Sequence, residues 1–443
     1  MVLPYHRQPT SCYIYMKVIY QSPEHSMIVN CAIKDKSDSQ DDKINSDFSF
    51  VIHHNASSIN ESIWNAVTGK KNHFLQPDYL VCLEENSDKK INFHYVIIYD
   101  RERPVAIAYF QVMDLSIANF GSSVNRKKNC DIFLSEYIKR QFKNYLKKTA
   151  SKLKFRLLIC GNAFISGENS ISYIENINTT QLFNALNKAI KKISEIEKTN
   201  GKIAAIMIKD FYNASFNNFR ELEEFKYKDF FVEPNMIIKI HWNSFAEYLN
   251  SMNKKYRSRA KNIIKKGQEI ERKNLSTDEI KNQSEAIFGL YQQVRTKAKF
   301  KMGDLTINYF SSMKSALGDN FLFTAYYKKN QMIGFKTAFI NKTKIEAHFI
   351  GIDYDVNQQF ELYQNMLYDY VGEAIELNVT SLSLGRTASE IKSAIGAEAQ
   401  ELTCYIRHRN SLSNSMLSYL LHYLKPADWV PRKPFKQNTS SLN

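Results

Sequence analysis

The chain has 443 residues, 44% of them apolar, and a formal charge of +15 from 60 lysines and arginines against 45 aspartates and glutamates. This length suits roughly two or three domains with ordinary cores, and no run of about 18 apolar residues marks a membrane-spanning helix. Cys12, Cys31, Cys82, Cys130, Cys160 and Cys404 form no C-x-x-C pair and have no histidine at ligand spacing, which argues against a zinc site or a disulfide framework. The positive excess points instead to an anionic partner: nucleic acid, phospholipid headgroups or a phosphate-bearing donor.

The opening MVLPYHRQPTS lacks the apolar stretch of a secretory signal, so a cytoplasmic location is expected. Residues 1–47, with the charged run Lys34–Asp47, read as an N-terminal extension carrying an exposed loop. From Phe48 the pattern becomes α/β. A short strand, a helix through Ile63, Trp64 and Val67, and a helix starting at Pro77 come first. HYVIIYD and RPVAIAYFQVMDL, split by Arg101-Glu102-Arg103, make a hairpin. FRLLICG is a strand that runs into a turn containing Gly161, Asn162 and Gly167, where backbone amides could approach a ligand. A helix over TTQLFNALNKAIKKISEIEKTN and the strand KIAAIMIKDF complete a crossover unit of a partly parallel sheet.

The same order recurs after Glu233–Trp242. A helix is expected over about Ser244–Lys273 and another over SEAIFGLYQQVRTKA, then the strands FLFTAYYKK, MIGFKTAFIN and KIEAHFIGID, a helix over Asn357–Leu377, and the strand SLSLG. Two units of one plan, 48–240 and 241–410, predict a tandem α/β (α+β) protein in which each unit is a mixed twisted sheet flanked by helices. Residues 411–443 read as a C-terminal helix and a basic, Pro-rich tail. Together with the net charge, that helix suggests peripheral contact with an anionic membrane surface.

Several groups could carry chemistry. Glu346 and His348 share one face of a strand about 7 Å apart, which suits a general base; burial would raise the carboxyl pKa and lower that of the imidazole. A hydrogen-bonded core histidine beside a lysine-paired glutamate fits the same residues. Lys254, Arg257, Lys261 and Lys265 line one face of a helix opposite Leu249, Met252, Tyr256, Ala260 and Ile263, a face for phosphates or for solvent. In SLSLGRTASEIKSAIGAE (Ser381–Glu398), Arg386 offers a rigid fork and Lys392 a point charge for an anion, with Glu390 placed to hold either; a structural ion pair is the plainer account. The N-terminal amides of the Asn357–Leu377 helix would lie just beyond the Glu346/His348 strand. Tyr363, Met366, Leu367 and Tyr370 form either core or part of an acyl tunnel. No P-loop, G-x-G-x-x-G or G-x-S-x-G pattern occurs, and the TGKK at Thr68–Lys71 lacks the earlier glycine, which disfavours nucleotide hydrolysis and serine hydrolysis.

The pieces Ser62–Asn86, Ser244–Lys266 and Ser381–Glu398 resemble the FemAB-like branch of the GNAT acyltransferase superfamily, in which two GNAT-like domains sit in tandem; the resemblance covers roughly Phe48 to Asn410. It implies an N-acyltransferase that moves an acyl group from a thioester, long-chain acyl-CoA foremost, to the primary amine of a lipid such as a sphingoid base or another envelope precursor. Under this reading acyl-CoA is a co-substrate, no cofactor is permanently bound, no metal is needed and no DNA partner is expected. Glu346 and His348 are the base candidates, and Lys254, Arg257, Lys261, Tyr363, Arg386, Glu390, Lys392 and Asn162 the candidates for binding. Other members of the branch use aminoacyl-tRNA to extend a peptidoglycan precursor and insert a coiled-coil arm in the second domain; here RKNLSTDEIKN interrupts any continuous heptad over Ser244–Ala298. The Q/R-x-x-G-x-G/A pattern that binds pyrophosphate in GNAT proteins is missing after KIEAHFIGID, where this chain has DYDVNQQFELY. A non-catalytic module that binds an anionic ligand is the third possibility.

Overall fold

Runs rich in Val, Ile, Phe and Tyr become strands and the amphipathic runs between them become helices. The computed structural model describes residues 26–28, 47–69, 72–116, 154–298, 302–423 and 428–436. Its strands are β1 (Ser26–Ile28), β2 (Ser49–His53), β3 (Asn92–Asp100), β4 (Arg103–Ser116), β5 (Lys154–Cys160), β6 (Ile171–Tyr173) and β7 (Ile203–Tyr212). They continue with β8 (Lys228–Lys239), β9 (Glu271–Asn274), β10 (Phe321–Lys328), β11 (Gln331–Asn341), β12 (Lys344–Ile352), β13 (Ser381–Ser383) and β14 (Glu398–His408). All join one mixed sheet in the order β1-β2-β3-β4-β5-β7-β14-β8-β13-β12-β11-β10-β9, with β6 on β4.

The expected repetition is visible in the pairings. From β2 inward through β3, β4, β5, β7 and β14 the contacts run antiparallel three times, then parallel, then antiparallel. From β9 inward through β10, β11, β12, β13 and β8 they run the same way. An antiparallel β14–β8 pair joins the two series at the centre. Each segment gives its last strand to the other: β8 precedes residue 241 but lies on β13, and β14 comes late in the chain but lies on β7. Units 48–240 and 241–410 therefore share one sheet, and the exchange leaves neither with an open edge at the junction.

The helices used below are α1 (Glu61–Thr68), α2 (Pro77–Glu85), α3 (Thr179–Ile196), α4 (Phe245–Ser251), α5 (Lys254–Lys266), α6 (Ser284–Lys297), α7 (Tyr309–Leu317), α8 (Tyr354–Phe360), α9 (Leu362–Glu376), α10 (Ser389–Ser393) and α11 (Ser411–Tyr423). Two expected long helices are broken. The Ser244–Lys273 run stops at Met252, resumes as α5, ends at Gly267 and becomes β9. The Asn357–Leu377 run starts earlier, at Tyr354, and breaks at Glu361, which has a left-handed φ of 49°. One buried side chain links the end of α5 to the break at Glu361: Asn365 donates to the carbonyls of Ile263 (2.9 Å) and Phe360 (2.8 Å). A Cβ at position 267 would lie 2.6 Å from that amide, so the end of α5 requires glycine.

Four cores flank the sheet among the described residues, the smallest around Tyr326, Ile352, Phe360 and Met366. Trp64, Tyr79, Tyr95 and Tyr109 pack with Phe310, Phe323 and Phe339, so a single aromatic core spans both halves. On the other face α3 covers the first half, and α4, α5 and α9 cover the second. Each fully buried phenylalanine there stabilises the fold by roughly 1.5–3 kcal/mol. Cys82, Cys160 and Cys404 are free and buried; Cys12, Cys31 and Cys130, nearly all of the charged loop, Lys70, Lys71 and the last residues of the tail lie outside the described residues.

Candidate functional site

The parallel pair β12–β13 is short. Its register runs Lys344↔Ser381, Ile345↔Leu382, Glu346↔Ser383 and then stops. Leu384 turns its N–H to the Met236 carbonyl (2.8 Å), and Gly385 takes a φ of 71° that only glycine adopts at no cost. β12 meanwhile continues along β11 to Ile352. The two strands therefore splay into a V, and the edge of β12 facing the opening has no strand partner beyond Glu346. A cavity of about 350 Å³ fills the V. Ala347–Ile350 of β12 form its floor, and Ala163–Ser166, contributed by the first half, form the opposite wall. Tyr291, Val294 and Arg295 of α6 close one side, Tyr363, Leu367 and Tyr370 of α9 the other, and Gly385, Arg386, Thr387 and Lys392 form the rim.

Of the residues anticipated from sequence, His348, Tyr363, Arg386 and Lys392 meet in this cavity. Glu346 lies at the apex, where its carboxylate accepts a hydrogen bond from Asn341 (2.9 Å). Asn162 is buried behind the wall, donating to Tyr79 Oη (2.8 Å) and accepting from the Phe164 amide (2.9 Å). Lys254, Arg257 and Lys261 are elsewhere, on the outer side of α5; Lys254 and Lys261 are exposed, and Arg257 reaches only the Asn250 carbonyl. Glu390 does not hold Arg386 or Lys392; it pairs with Arg432 at the surface. The expected bare amides at Asn357 lie inside α8, whose true start is capped by Asp353 accepting from the Asp355 amide (3.0 Å).

His348 Nε2 lies 2.8 Å from Tyr309 Oη. Burial pushes the imidazole down to about 3 and the Tyr309 hydroxyl well above its ordinary value, so both are neutral at pH 7. Burial also raises the Glu346 carboxyl, against the opposing effects of Asn341 and Lys344. At the rim, Lys392 donates to the carbonyls of Arg386 (2.6 Å) and Gly385 (3.3 Å), and burial pushes its ammonium down to about 7, partly countered by Glu233.

Sequence reasoning missed the residue that anchors the rim. Asp210 is fully buried with a left-handed φ of 67°, and its carboxylate holds Arg386, Lys209 (2.6 Å), the Gly167 amide (3.2 Å) and the Cys404 thiol (3.4 Å). Lys209 in turn donates to the carbonyls of Asn162 (2.7 Å) and Ile165 (2.8 Å), which fixes the wall. The available signal was the Lys-Asp pair closing the apolar run KIAAIMIKDF, since a buried charge pair at a strand end needs partners brought from elsewhere.

No family model matches the chain, and no curated protein matches it. Among solved structures it is similar to the crystal structure of FemX at 12% identity and a TM-score of 0.48, over 82% of this chain and 98% of that one. It is also similar to a tandem GNAT protein from the clavulanic acid biosynthesis pathway (7%, TM-score 0.45, 82% and 99%). A third is L-PGS from Bacillus licheniformis (10%, TM-score 0.40, 77% and 94%). The likeness concerns the arrangement of strands and helices and carries no residue roles with it.

Proposed function

We propose that the chain is an N-acyltransferase that takes an acyl group from a thioester, acyl-CoA, and passes it to a primary amine in the β12–β13 opening. The observation that supports this most is the opening itself: an unpaired strand edge, an apolar interior and a cationic rim within one cavity. Free backbone amides on the β12 edge suit the thioester oxygen as it gains charge. Phe349, Ile350, Tyr363 and Leu367 suit the acyl chain, and Arg386 and Lys392 suit donor phosphates. In the reaction the amine nitrogen attacks the carbonyl carbon, the C–N bond forms, the C–S bond breaks, and the sulfur leaves with the proton the amine gives up. The neutral His348–Tyr309 pair can relay that proton without holding it. A sphingoid base or another amine of the cell envelope is the proposed acceptor.

A second reading has one observation of its own: Lys254, Lys261, Lys265 and Lys266 are exposed along α5, a face that suits a polyanion such as aminoacyl-tRNA. Residues 244–298 fold as short helices and β9. The test is mass spectrometry of the protein incubated with palmitoyl-CoA and a panel of amines including a sphingoid base and a peptidoglycan precursor. Free coenzyme A with an amide product is the expected result. Product formed only with charged tRNA would replace the donor, and none with either would leave an anion-binding module.

A further inference from the structure

Among the described residues lining the opening, Arg295, Arg386 and Lys392 are cationic and none carries a carboxylate. Arg295 is paired with Asp304 on the solvent side. The other two have far less compensation. Asp210 serves Arg386 and the buried Lys209 together, Arg386 Nε is buried with no hydrogen-bond partner, and Lys392, 4% exposed, touches only carbonyl oxygens. The rim thus holds a buried Arg386 Nε–H without an acceptor and a buried Lys392 without a carboxylate, donors that an arriving anion would satisfy, while burial pushes the Lys209 and Lys392 ammoniums down. The backbone holds this arrangement under strain: Thr387 and Ala388 follow Gly385 with φ of 66° and 50°, values that non-glycine residues seldom adopt without a purpose.

We propose that the turn from Gly385 to Lys392 binds a phosphate group of the substrate, and that Lys392 takes up a proton as the phosphate arrives. The assignment rests on the reading of the opening as the donor site and adds the ligand chemistry of its rim. Alone, Lys392 is held near neutrality by burial, with Glu233 of β8 opposing that shift. The other charged or titratable groups around it are Arg386, Asp210 and Lys209 behind the rim, neutral His348 on the floor, Cys404 of β14 behind Asp210, and the Glu390–Arg432 pair outside. A dianion beside the ammonium restores its charged form, so binding and protonation are linked. The phosphate can come from a nucleotide donor or from a lipid headgroup, and the chemistry at the rim is the same for both.

The test is calorimetric titration of the full chain with adenosine 3′,5′-bisphosphate and, separately, with a short-chain phosphatidic acid. It is run at pH 8 in buffers with different heats of ionisation. Each phosphate group of either ligand is already dianionic there, since phosphomonoesters lose their second proton near pH 6. Uptake approaching one proton is expected, with affinity falling by up to about tenfold per pH unit from pH 7 to 9. Lys392→Met is expected to weaken binding at least about tenfold, Lys392→Arg to keep the affinity and abolish the proton uptake, and Lys191→Met on the exposed face of α3 to change nothing. Saturation by the bisphosphate alone assigns the site to a nucleotide donor, and saturation by phosphatidic acid alone to a lipid phosphate. Binding of neither, binding unchanged in Lys392→Met, or proton uptake unchanged in Lys392→Arg overturns the proposal; the last arm stands even if the methionine variant does not fold. Acyl transfer whose KM ignores Lys392 would remove this assignment alone, whereas proton-linked phosphate binding without any transfer would keep it and remove the transferase reading.

Discussion

Tyr309 and His348 meet 39 positions apart in sequence, one on α7 and one on β12, at 2.8 Å. With the imidazole at about 3 when folded and an ordinary 6.5 when unfolded, the unfolded chain binds the extra proton between those values. Stability contributed by neutral His348 is therefore complete above pH 6.5 and lost as pH falls toward 3. Replacing His348 by Phe should flatten that part of the stability–pH curve in denaturant titrations; a wild-type slope in the variant would assign the loss to other groups. Tyr309→Phe removes the relay hydroxyl and should lower kcat about 100-fold with little change in stability, measured by product formation against denaturant midpoint. His348, Arg386 and Lys392 were legible because strand alternation and the Gly385 turn are local features, and Tyr363 because helical periodicity is. Asp210 was not, because its partner Arg386 lies 176 positions away. Lys254, Arg257 and Lys261 erred the other way: periodicity shows that a face is basic but not what it faces.

Among the elements, β12 depends on Gly351, where a Cβ would lie 2.2 Å from Phe335 Cε1 on β11. Gly351→Ala should destabilise the protein by about 1–3 kcal/mol through overpacking, read as a shift in the denaturant midpoint; an unchanged midpoint would mean that the Phe335 ring yields. Among the described residues no helix is long and apolar enough to cross a membrane. α11 nevertheless exposes Leu412 (75%) and Met416 (57%), one turn apart on the same side. That face suits the proposed contact with an anionic bilayer. Replacing both by Glu should abolish co-sedimentation with phosphatidylglycerol vesicles at low salt, and equal sedimentation of the variant would remove α11 from that role. The break at Glu361 was hidden because Phe360 and Leu362 continue the helical pattern, and the buried Asn365 decides it; the one at Met252 is set by long-range contact of Met252 and Asn253 with Pro434 and Phe435.

For the molecule as a whole, the repeated pairing order was visible in the sequence and the exchange of β8 and β14 was not, since strand partners are chosen by long-range packing. In the first half the parallel pair β5–β7 ends at Cys160↔Ile208, and there Lys209 ties the outgoing loop across the gap through the Asn162 and Ile165 carbonyls. That closed loop presents Ala163–Ser166 as the wall of the opening in the second half. One half has become a wall of the other's cavity, and the proposed reaction lies between β12 and β13. The most direct test is a crystal structure of the protein with a non-hydrolysable thioether analogue of palmitoyl-CoA. The account predicts the thioether sulfur at the β12 edge near Ala347 and His348, the acyl chain between Phe349 and Tyr363, and phosphates within reach of Arg386 and Lys392. An analogue bound between β5 and β7, or only along the outer face of α5, would contradict it.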